Sequence, residues 1–563
     1  MHVPDTAPRA SIFYHYQVFP FHPPAELTGK GTKAPVAIVG AGPVGLLTAI
    51  GLARYGVRSV LLEAEQQISH GSRAIVLARH SMEILQHAGV AAPFVEKGLP
   101  WSQGRSFFRG KQVYQMVMPH DPHDRFLPGL NLCQQYIEEF LVEAAQRTGL
   151  VDLRWGSMVT GISQDADGVT LTVDTPAGEY RLAADYAVAA DGGRSPLRRM
   201  MGLRMEGRAY AGNFVIADIK AKIDLPTERL CFFDPDWNPG NNVLVHRQPD
   251  DIWRLDFRLP DDETAERALD KDCLSERIDL ILRMIGRPVP WQLDWATVYS
   301  ASTLTLPDYV NGRVAFVGDA AHLLPIFGVR GVNTGFQDAD NLAWKLAFVI
   351  KGLAPSRLLD SYSEERVAAA REICEEAAKS TRFMTPPSEG YRLMRNAVLS
   401  LSLSEDFCKN LLHWRTARPF SYVHTPLNSP TPDGEVFAGG PAPGAPTPSA
   451  YLAEGDYLRD HFGSGFQLLC FAPAPDALAS LAAAARATGL PVTIISIAGQ
   501  TDTMAGADVV LSDPKGVAMA RYDAEPGTAY LLRPDLHVCA RWRAPTPARI
   551  TDALRAAIAG EKP

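Results

Sequence analysis

Residues 1–33 mix aromatic rings with prolines (Phe13, Tyr14, Tyr16, Phe19, Pro20, Phe21, Pro23, Pro24) and follow neither a helical nor a strand period. That predicts an extended arm laid on the body of the protein. From Ala34 the pattern changes. The apolar run APVAIVG leads into AGPVGLLTAIGLARYG at helical spacing, and VRSVLLE returns to a run of strand length. Strand, glycine turn, helix and strand in this order imply a parallel, doubly wound α/β sheet. Between 200 and 300 the chain reads as shorter alternating strands, NFVIADIKAKI, ERLCFF, NNVLVHR and IWRLDFRL, which predict an antiparallel sheet in a second domain. Helical periodicity returns over 335–380, and residues 424–450 are rich in Pro, Gly, Ser and Thr, as a linker would be. Beyond it, GFQLLCFA, PDALASLAAAARATG, PVTIISIA, ADVVLSD, TAYLLRPD, LHVCARW and PARITDALRAAIAG alternate as a compact α/β unit. The expected organisation is an arm (1–33), an α/β domain in two parts (34–205 and 301–423, the second with a helical region), an inserted sheet domain (206–300), a linker (424–450) and a C-terminal unit (451–563).

Composition narrows the function classes. Of 563 residues 46% are hydrophobic and 21% charged, ordinary globular usage that excludes long disorder. A net charge of −8 argues against nucleic acid as the main partner, because phosphate binding needs a basic face. Val36–Ala53 carries no charge, but Gly40, Gly42, Pro43 and Gly45 interrupt it, so no membrane anchor is expected. The seven cysteines stand at least 34 residues apart, which excludes CxxC redox pairs and closely spaced zinc knuckles and suits a reducing cytoplasm. His120-Asp-Pro-His123-Asp reads as a solvated loop, since no HExxH or third ligand accompanies it, and no metal is expected.

Gly40-Ala41-Gly42-Pro43-Val44-Gly45 follows a strand and opens a helix, the context a GxGxxG dinucleotide motif requires. Gly40 permits the tight turn, Gly42 lets backbone approach a pyrophosphate at the helix N-terminus, and Gly45 lets helix and strand pack closely. Glu63, followed by Ala64, ends the next strand 18 residues after Gly45, placed to accept hydrogen bonds from a ribose diol. An acid at that position favours an adenosine ribose without a 2′-phosphate, leaving FAD and NAD both open.

Two further turns choose between them. Asp191-Gly192 follows the strand DYAVAA, and Gly318-Asp319 follows RVAFV. GxGxxG, DG and GD in this order resemble the single-component FAD-dependent aromatic hydroxylases (class A flavoprotein monooxygenases), most closely the phenol hydroxylase and 3-(3-hydroxyphenyl)propionate hydroxylase branch, over about 34–400. The resemblance implies a Rossmann-like FAD domain, with Asp191 and Gly192 at the pyrophosphate and Asp319 accepting a hydrogen bond from the ribityl chain. It sets Pro325 beside the isoalloxazine and the backbone of Gly331, Val332 and Asn333 at its pyrimidine edge. Arg73 and Gln134 match the family's arginine and glutamine near the pyrophosphate and ribityl groups. Where the family commonly has Gly-Gln, this chain has Val329-Arg330; Arg330 is expected either to bind an acidic substrate or coenzyme or to face solvent. The C-terminal unit resembles the thioredoxin-like tail of some phenol hydroxylase relatives, without CxxC, with a structural or dimer-interface role expected for it.

The 200–300 sheet is expected to cover the flavin's reactive face. Its polar candidates are Tyr210, His246, Arg247 and Arg254, and its apolar candidates Phe232, Phe233 and Trp237. A phenol needs a base or hydrogen-bond acceptor to approach phenolate, and the sequence does not identify it. The resemblance implies NADH or NADPH as a transient co-substrate, O2, and oxygen transfer through a flavin C4a-hydroperoxide to a small phenolic aromatic, with or without a carboxylate, the cofactor carrying the hard chemistry. An epoxidase or halogenase of the same fold is an alternative, although no Trp-x-Trp-x-Ile-Pro segment occurs. A flavin-binding sensor or interaction protein is another.

Overall fold

The computed structural model describes residues 1–325, 328–411, 419–498 and 504–559, without the side chains of 209–211 and 301. Its first layer is a sheet ordered Val310–Asn311, Val314–Phe316, Gly178–Ala189, Ala34–Val39, Ser59–Leu62, Val151–Arg154. Pairings around the central strand Ala34–Val39 are parallel, as is Ser59–Leu62 with Val151–Arg154. The strand Ala34–Val39 is buried nearly throughout, as a parallel strand covered on both faces must be. Helices Pro43–Arg54, Gln134–Arg147 and Gly331–Ile350 pack beside one another on it. The α/β expectation is met here.

The second sheet differs from the expected boundaries. Its order is His322–Leu323, Gln292–Thr305, Glu206–Lys220, Ile252–Arg258, Asn242–Arg247, Arg229–Phe233, Gln103–Phe108, Lys111–Val117. The hairpin Gln103–Val117, which sequence order assigns to the first domain, therefore belongs to the second. Its first strand pairs with Arg229–Phe233 in parallel, so the sheet is mixed. A short hairpin carries no local mark of the sheet it will join, and a non-local pairing decides it. The far face of this sheet is apolar and covered by the helix Lys271–Met284; Val215, Ala217, Val245, Leu255 and Phe257 lie between them.

The arm is extended as expected. Tyr16 is buried, and Phe19 stacks on Trp155 with centroids 4.3 Å apart. The 424–450 segment is no free linker. Tyr422 N–H donates to Gly444 O, Gly444 N–H to Val538 O, and Leu427 is fully buried, so it forms a strap along the C-terminal unit. That unit is a five-stranded sheet ordered Val509–Leu511, Val492–Ile497, Phe466–Phe471, Ala529–Leu532, Val538–Trp542, its first three strands parallel and its last two antiparallel. Helices Pro475–Ala487 and Pro547–Ala559 cover one face.

A sealed ion cluster joins this unit to the first domain. Arg533 donates to Glu365 Oε1 at 2.6 Å and to Asp535 Oδ2 at 2.5 Å, and Lys345 donates to Glu365 Oε2 at 2.7 Å. Asn341 and Trp344, on the same helix as Lys345, donate to Asp535 Oδ2 at 3.1 Å. Replacing Glu365 by Ala leaves Lys345 and Arg533 buried beside one acid fewer. Glu365→Ala is expected to cost about 3–5 kcal/mol, read as a lower urea midpoint; an unchanged midpoint would show that the cluster does not hold the two units together.

Candidate active site

The turn Gly40–Gly45 is stitched to both flanking strands. Gly40 N–H donates to Leu62 O and Ala190 N–H to Val39 O, each at 2.8 Å. A Cβ at Gly40 (φ +102°) would lie 2.5 Å from Ala190 O, and one at Gly45 2.0 Å from Gly40 O. The protein's own packing requires these two glycines. Gly42, the helix N-cap, differs: nothing lies within 4 Å of where its Cβ would be, and the same holds for Gly192 and Gly331. Those bare backbone positions are where a bulky ligand would lie. At the strand end, Glu63 accepts Ala41 N–H at 2.8 Å and Glu65 N–H at 3.1 Å. Burial pushes its carboxyl above the usual range against those bonds. His2 of the arm meets the Ala64 carbonyl at 2.7 Å.

The other two turns converge on the first. Val44 fills the space beside Gly318 and Gly335, where added Cβ atoms would lie 3.0 and 2.5 Å from its Cγ2. Arg198 ties DG to GD, donating to Gly193 O at 2.7 Å and to Ala320 O at 2.9 Å. Asp191 accepts Leu197 N–H at 2.9 Å through one oxygen, and its buried Oδ1 has no hydrogen-bond partner among the described residues. Asp319 is open to the cleft yet deep in the protein, which pushes its carboxyl up against the pull of His322 and Arg73. Gln134 opens its helix and accepts the N–H groups of Arg73 and Ala74 at 3.1 and 3.0 Å, shaping that loop. Arg73 itself is exposed.

Past Asp319, Leu324 O accepts from Tyr299 Oη at 3.3 Å, and Pro325 is buried next to it. Val329 has φ +60°, a strained backbone for a β-branched residue. Asn333 Nδ2 holds it there, donating to Val329 O and Val76 O at 3.0 Å, while Asn333 Oδ1 accepts from Ala78 N–H and Ser81 Oγ. With its side chain fully engaged, Asn333 offers a ligand only backbone. Thr334 N–H bonds Arg330 O, leaving the N–H groups of Gly331, Val332 and Asn333 as the open end of a 20-residue helix. Arg330 is buried and within electrostatic reach of Cys374, so the solvent-facing alternative falls away.

The second sheet turns a polar face to this assembly. Successive strand residues point to opposite faces, and the register lines up Arg229, His246, Arg254, Asp218 and Trp295 in one row. The next row is Ser106, Cys231, Leu244, Asp256, Ile216 and Thr297. Arg254 donates to both oxygens of Asp218, at 2.6 and 2.8 Å, and to the Ser72 carbonyl, docking the sheet to the loop that holds Arg73. His246 is buried with Nδ1 unpartnered, and burial beside Arg229 and Arg254 keeps it neutral. Burial raises the Asp256 carboxyl to about 7.

Several sequence candidates fall elsewhere. Arg247, one residue past His246, points to the other face, donating to Leu225 O at 2.8 Å beside Trp253. Phe232 and Trp237 pack in the helix-covered core, Phe232 stacked on Phe107 at 4.7 Å. Phe233 is on the cleft side but packs against Phe383. The side chain of Tyr210 lies outside the described residues. His120 and His123 are not brought together with other ligands: His120 meets Met118 O, and the His123 ring lies 5.1 Å from Tyr451. No group of three metal-ligating side chains occurs among the described residues. Sequence reasoning missed Arg198, Asp338, Tyr299 and Asp256. Asp256 had a legible signal, since IWRLDFR alternates apolar residues with Arg254, Asp256 and Arg258.

Bare glycines at two turns and at the open N-terminus of the helix Gly331–Ile350, with an Asp191 oxygen that lacks a partner among the described residues, fit FAD. Comparison with known proteins agrees. The family model "FAD binding domain" matches residues 33–377, and "HcaD C-terminal domain" matches 447–557. Among curated proteins, the 3-(3-hydroxy-phenyl)propionate/3-hydroxycinnamic acid hydroxylase of Mycolicibacterium smegmatis is 28% identical, covering 89% of both chains. That of Burkholderia cenocepacia is 29% identical over 94% of this chain and 98% of its own. Among solved structures, aklavinone-11 hydroxylase with FAD and aklavinone superposes with a TM-score of 0.75 at 25% identity, covering 94% of this chain and 99% of that one. The flavin-dependent monooxygenase PieE with FAD and substrate gives 0.76 at 23%, covering 93% and 98%. The chain belongs to the FAD binding domain family of flavoproteins. Within it, the chain is an FAD-dependent hydroxylase, an oxidoreductase of the class A type.

The glycines predict two different mutant behaviours. Gly42→Ala has room in the protein and a compatible φ of −71°, so it is expected to keep wild-type melting of the apoprotein and lose FAD affinity. Gly45→Ala is expected to lower both. Thermal melting of apoprotein together with FAD titration separates them, and a Gly42→Ala protein that binds FAD normally would place the pyrophosphate elsewhere.

Proposed function

We propose that this chain is an NAD(P)H- and O2-dependent FAD monooxygenase that places one oxygen atom on the ring of a small phenolic acid, of the 3-(3-hydroxyphenyl)propionate kind for which its curated relatives are named. The observation carrying this reading is the cleft in which three cofactor-binding turns face a polar sheet surface. When bound, FAD supplies hydride acceptance from the nicotinamide and activation of O2. Gly40, Gly42 and Gly45, with Pro43 and Val44, would hold its pyrophosphate, Glu63 its ribose, Asp191 and Asp319 its polar chain. The N–H groups of Gly331, Val332 and Asn333, at a positive helix end, would stabilise negative charge on the ring's pyrimidine edge. The docked sheet excludes water, and exclusion of water keeps a reactive oxygen species from being lost unproductively.

Two buried guanidinium groups, Arg229 on the sheet and Arg330 at the start of the flavin-side helix, support an acidic substrate. No second GxGxxG-plus-acid unit occurs, which supports a nicotinamide that visits transiently. The C-terminal unit is thioredoxin-like in strand order but not in chemistry. Its Cys470 and Cys539 lie within buried strands, where burial raises both thiols to about 12. With every described cysteine free, a reducing cytoplasm is the proposed location.

Purified protein given NADH or NADPH and a panel of hydroxyphenyl acids is expected to consume O2 and yield a product heavier by one oxygen atom. Peroxide equal to the O2 consumed, with every acid, would make it an oxidase instead. Arg330→Gln is expected to weaken binding of the acidic phenols about tenfold or more, as loss of a charge-assisted hydrogen bond does, while neutral phenols bind unchanged. Equal affinity for the acids would remove Arg330 from the substrate site.

A further inference from the structure

Among the acidic groups on the cleft face of the sheet, the neighbours' demands are already met. Asp218 is consumed by Arg254, which bonds both its oxygens and also the Ser72 carbonyl. Glu228, on the opposite face, is taken by Arg105 at the sheet's edge. Asp256 is different. It is 6% exposed, and among the described residues its carboxylate feels Arg254, Arg229 and Asp218 only through space, with no hydrogen bond to it. A buried carboxylate without a donor is costly, and a site that keeps one is waiting for a donor to arrive. Its position supports that. Asp256 shares its row with Ile216 and Thr297, and Thr297 is two residues from Tyr299, whose hydroxyl reaches the Leu324 carbonyl next to Pro325. Adjacent strands lie about 4.8 Å apart, so Asp256 and the strand of Tyr299, two strands away, are about 10 Å apart across the cleft face.

We infer that Asp256 is the catalytic acceptor of the substrate's ring hydroxyl proton, an inference that rests on the monooxygenase reading above. The phenolic O–H bond breaks and a carboxyl O–H bond forms, so that the ring attacks as phenolate. After oxygen transfer the ring carbon gives up its proton to water, and Asp256 returns the one it holds to the ring's original oxygen, leaving the carboxylate as it began. The groups around it set its ionisation. Burial raises the carboxyl to about 7; Arg254 on its own strand and Arg229 oppose that, and Asp218 adds to it. Arg258 on its own strand, His246 and Cys231 on neighbouring strands, and Arg395, which faces Cys231 from the helix Glu389–Leu401, complete the surroundings. A carboxyl raised in this way is ionised only above its folded value, so the base is present on the alkaline side and is lost as pH falls through about 7.

The test compares wild-type holoenzyme with Asp256→Asn, using 3-(3-hydroxyphenyl)propionate and a ring-fluorinated analogue whose hydroxyl is more acidic. Wild-type kcat/KM is expected to rise with pH through an inflection that is the same for both substrates. Asp256→Asn is expected to retain FAD and its reduction by NAD(P)H but to lose about 100-fold in product formation at neutral pH, within the range of general base catalysis. It is expected to recover as pH approaches each phenol's own ionisation, and sooner for the fluorinated one. Undiminished turnover, or a loss that neither pH nor phenol acidity relieves, would overturn the assignment. If Asp256→Asn fails to hold FAD, the wild-type profiles decide: an inflection that moves with the phenol's acidity overturns it. If wild-type enzyme forms no hydroxylated product from any phenol in the panel, the monooxygenase reading fails instead.

Discussion

One buried carboxylate sets the geometry on which the cofactor cleft depends. Asp338 lies in the helix Gly331–Ile350 with no exposure at all. Its Oδ2 accepts the Gly318 N–H at 2.9 Å and meets His322 Nε2 at 2.7 Å, while its Oδ1 accepts Arg366 Nε at 2.7 Å. Burial alone would raise such a group, but His322 and Arg366 hold its carboxyl below the usual range, so it stays charged. The GD turn therefore cannot shift against the helix whose N-terminus it faces without stripping a buried anion of donors, which costs several kcal/mol. Arg366 carries the constraint outward, donating to Thr334 O and to Tyr422 Oη of the strap.

The substrate sheet solves a different problem. It must bring polar side chains to the cofactor while burying its other side, and the strand's two-residue period does this directly. In the strands Asn242–Arg247 and Ile252–Arg258, Val243, Val245, Leu255 and Phe257 fill the core under the helix Lys271–Met284, and the alternate positions His246, Arg254 and Asp256 face the cleft. Arg254 and Asp218 balance each other on the cleft side, and the Arg254–Ser72 contact makes the same pair a dock between domains. The docking geometry thus comes from a side chain whose first obligation is to neutralise its neighbour.

Turn chemistry is what made the cofactor site legible. Gly40, Gly45 and Glu63 act through contacts within one βαβ unit, so spacing alone carries their meaning, and DG and GD each follow a strand that sequence pattern exposes. The rest depended on partners distant in sequence. Arg198 matters because Ala320 is beside it, and Asp338 because Gly318 and Arg366 are; nothing local distinguishes either from an ordinary helical charge. The hairpin Gln103–Val117 changed domains for the same reason. Arg247 was a misjudgement of another kind. Its neighbour His246 faces the cleft, and in a strand that fact already turned Arg247 away.

The C-terminal unit follows from the same economy of buried charge. Asn341 and Trp344 reach its Asp535 from the helix that carries Asp338, and Lys345 joins it through Glu365, which bonds Arg533, so that helix is clamped at its middle by the appended unit and near its start by the GD turn. Within this cluster burial lowers the Lys345 ammonium to about 8 despite Glu365 beside it, and such a group is tolerated only while its partners remain in place. Separating the unit would expose Trp344 and Phe348, which pack against Phe466, together with Glu365 stripped of Arg533 and Asp535 stripped of Asn341 and Trp344. An interface built of buried ion pairs and aromatic rings cannot slide or open by degrees, because partial separation keeps the desolvation cost and loses the Coulombic return. The unit therefore acts on the flavin side as a rigid brace, setting the axis of the helix whose first three N–H groups face the cleft.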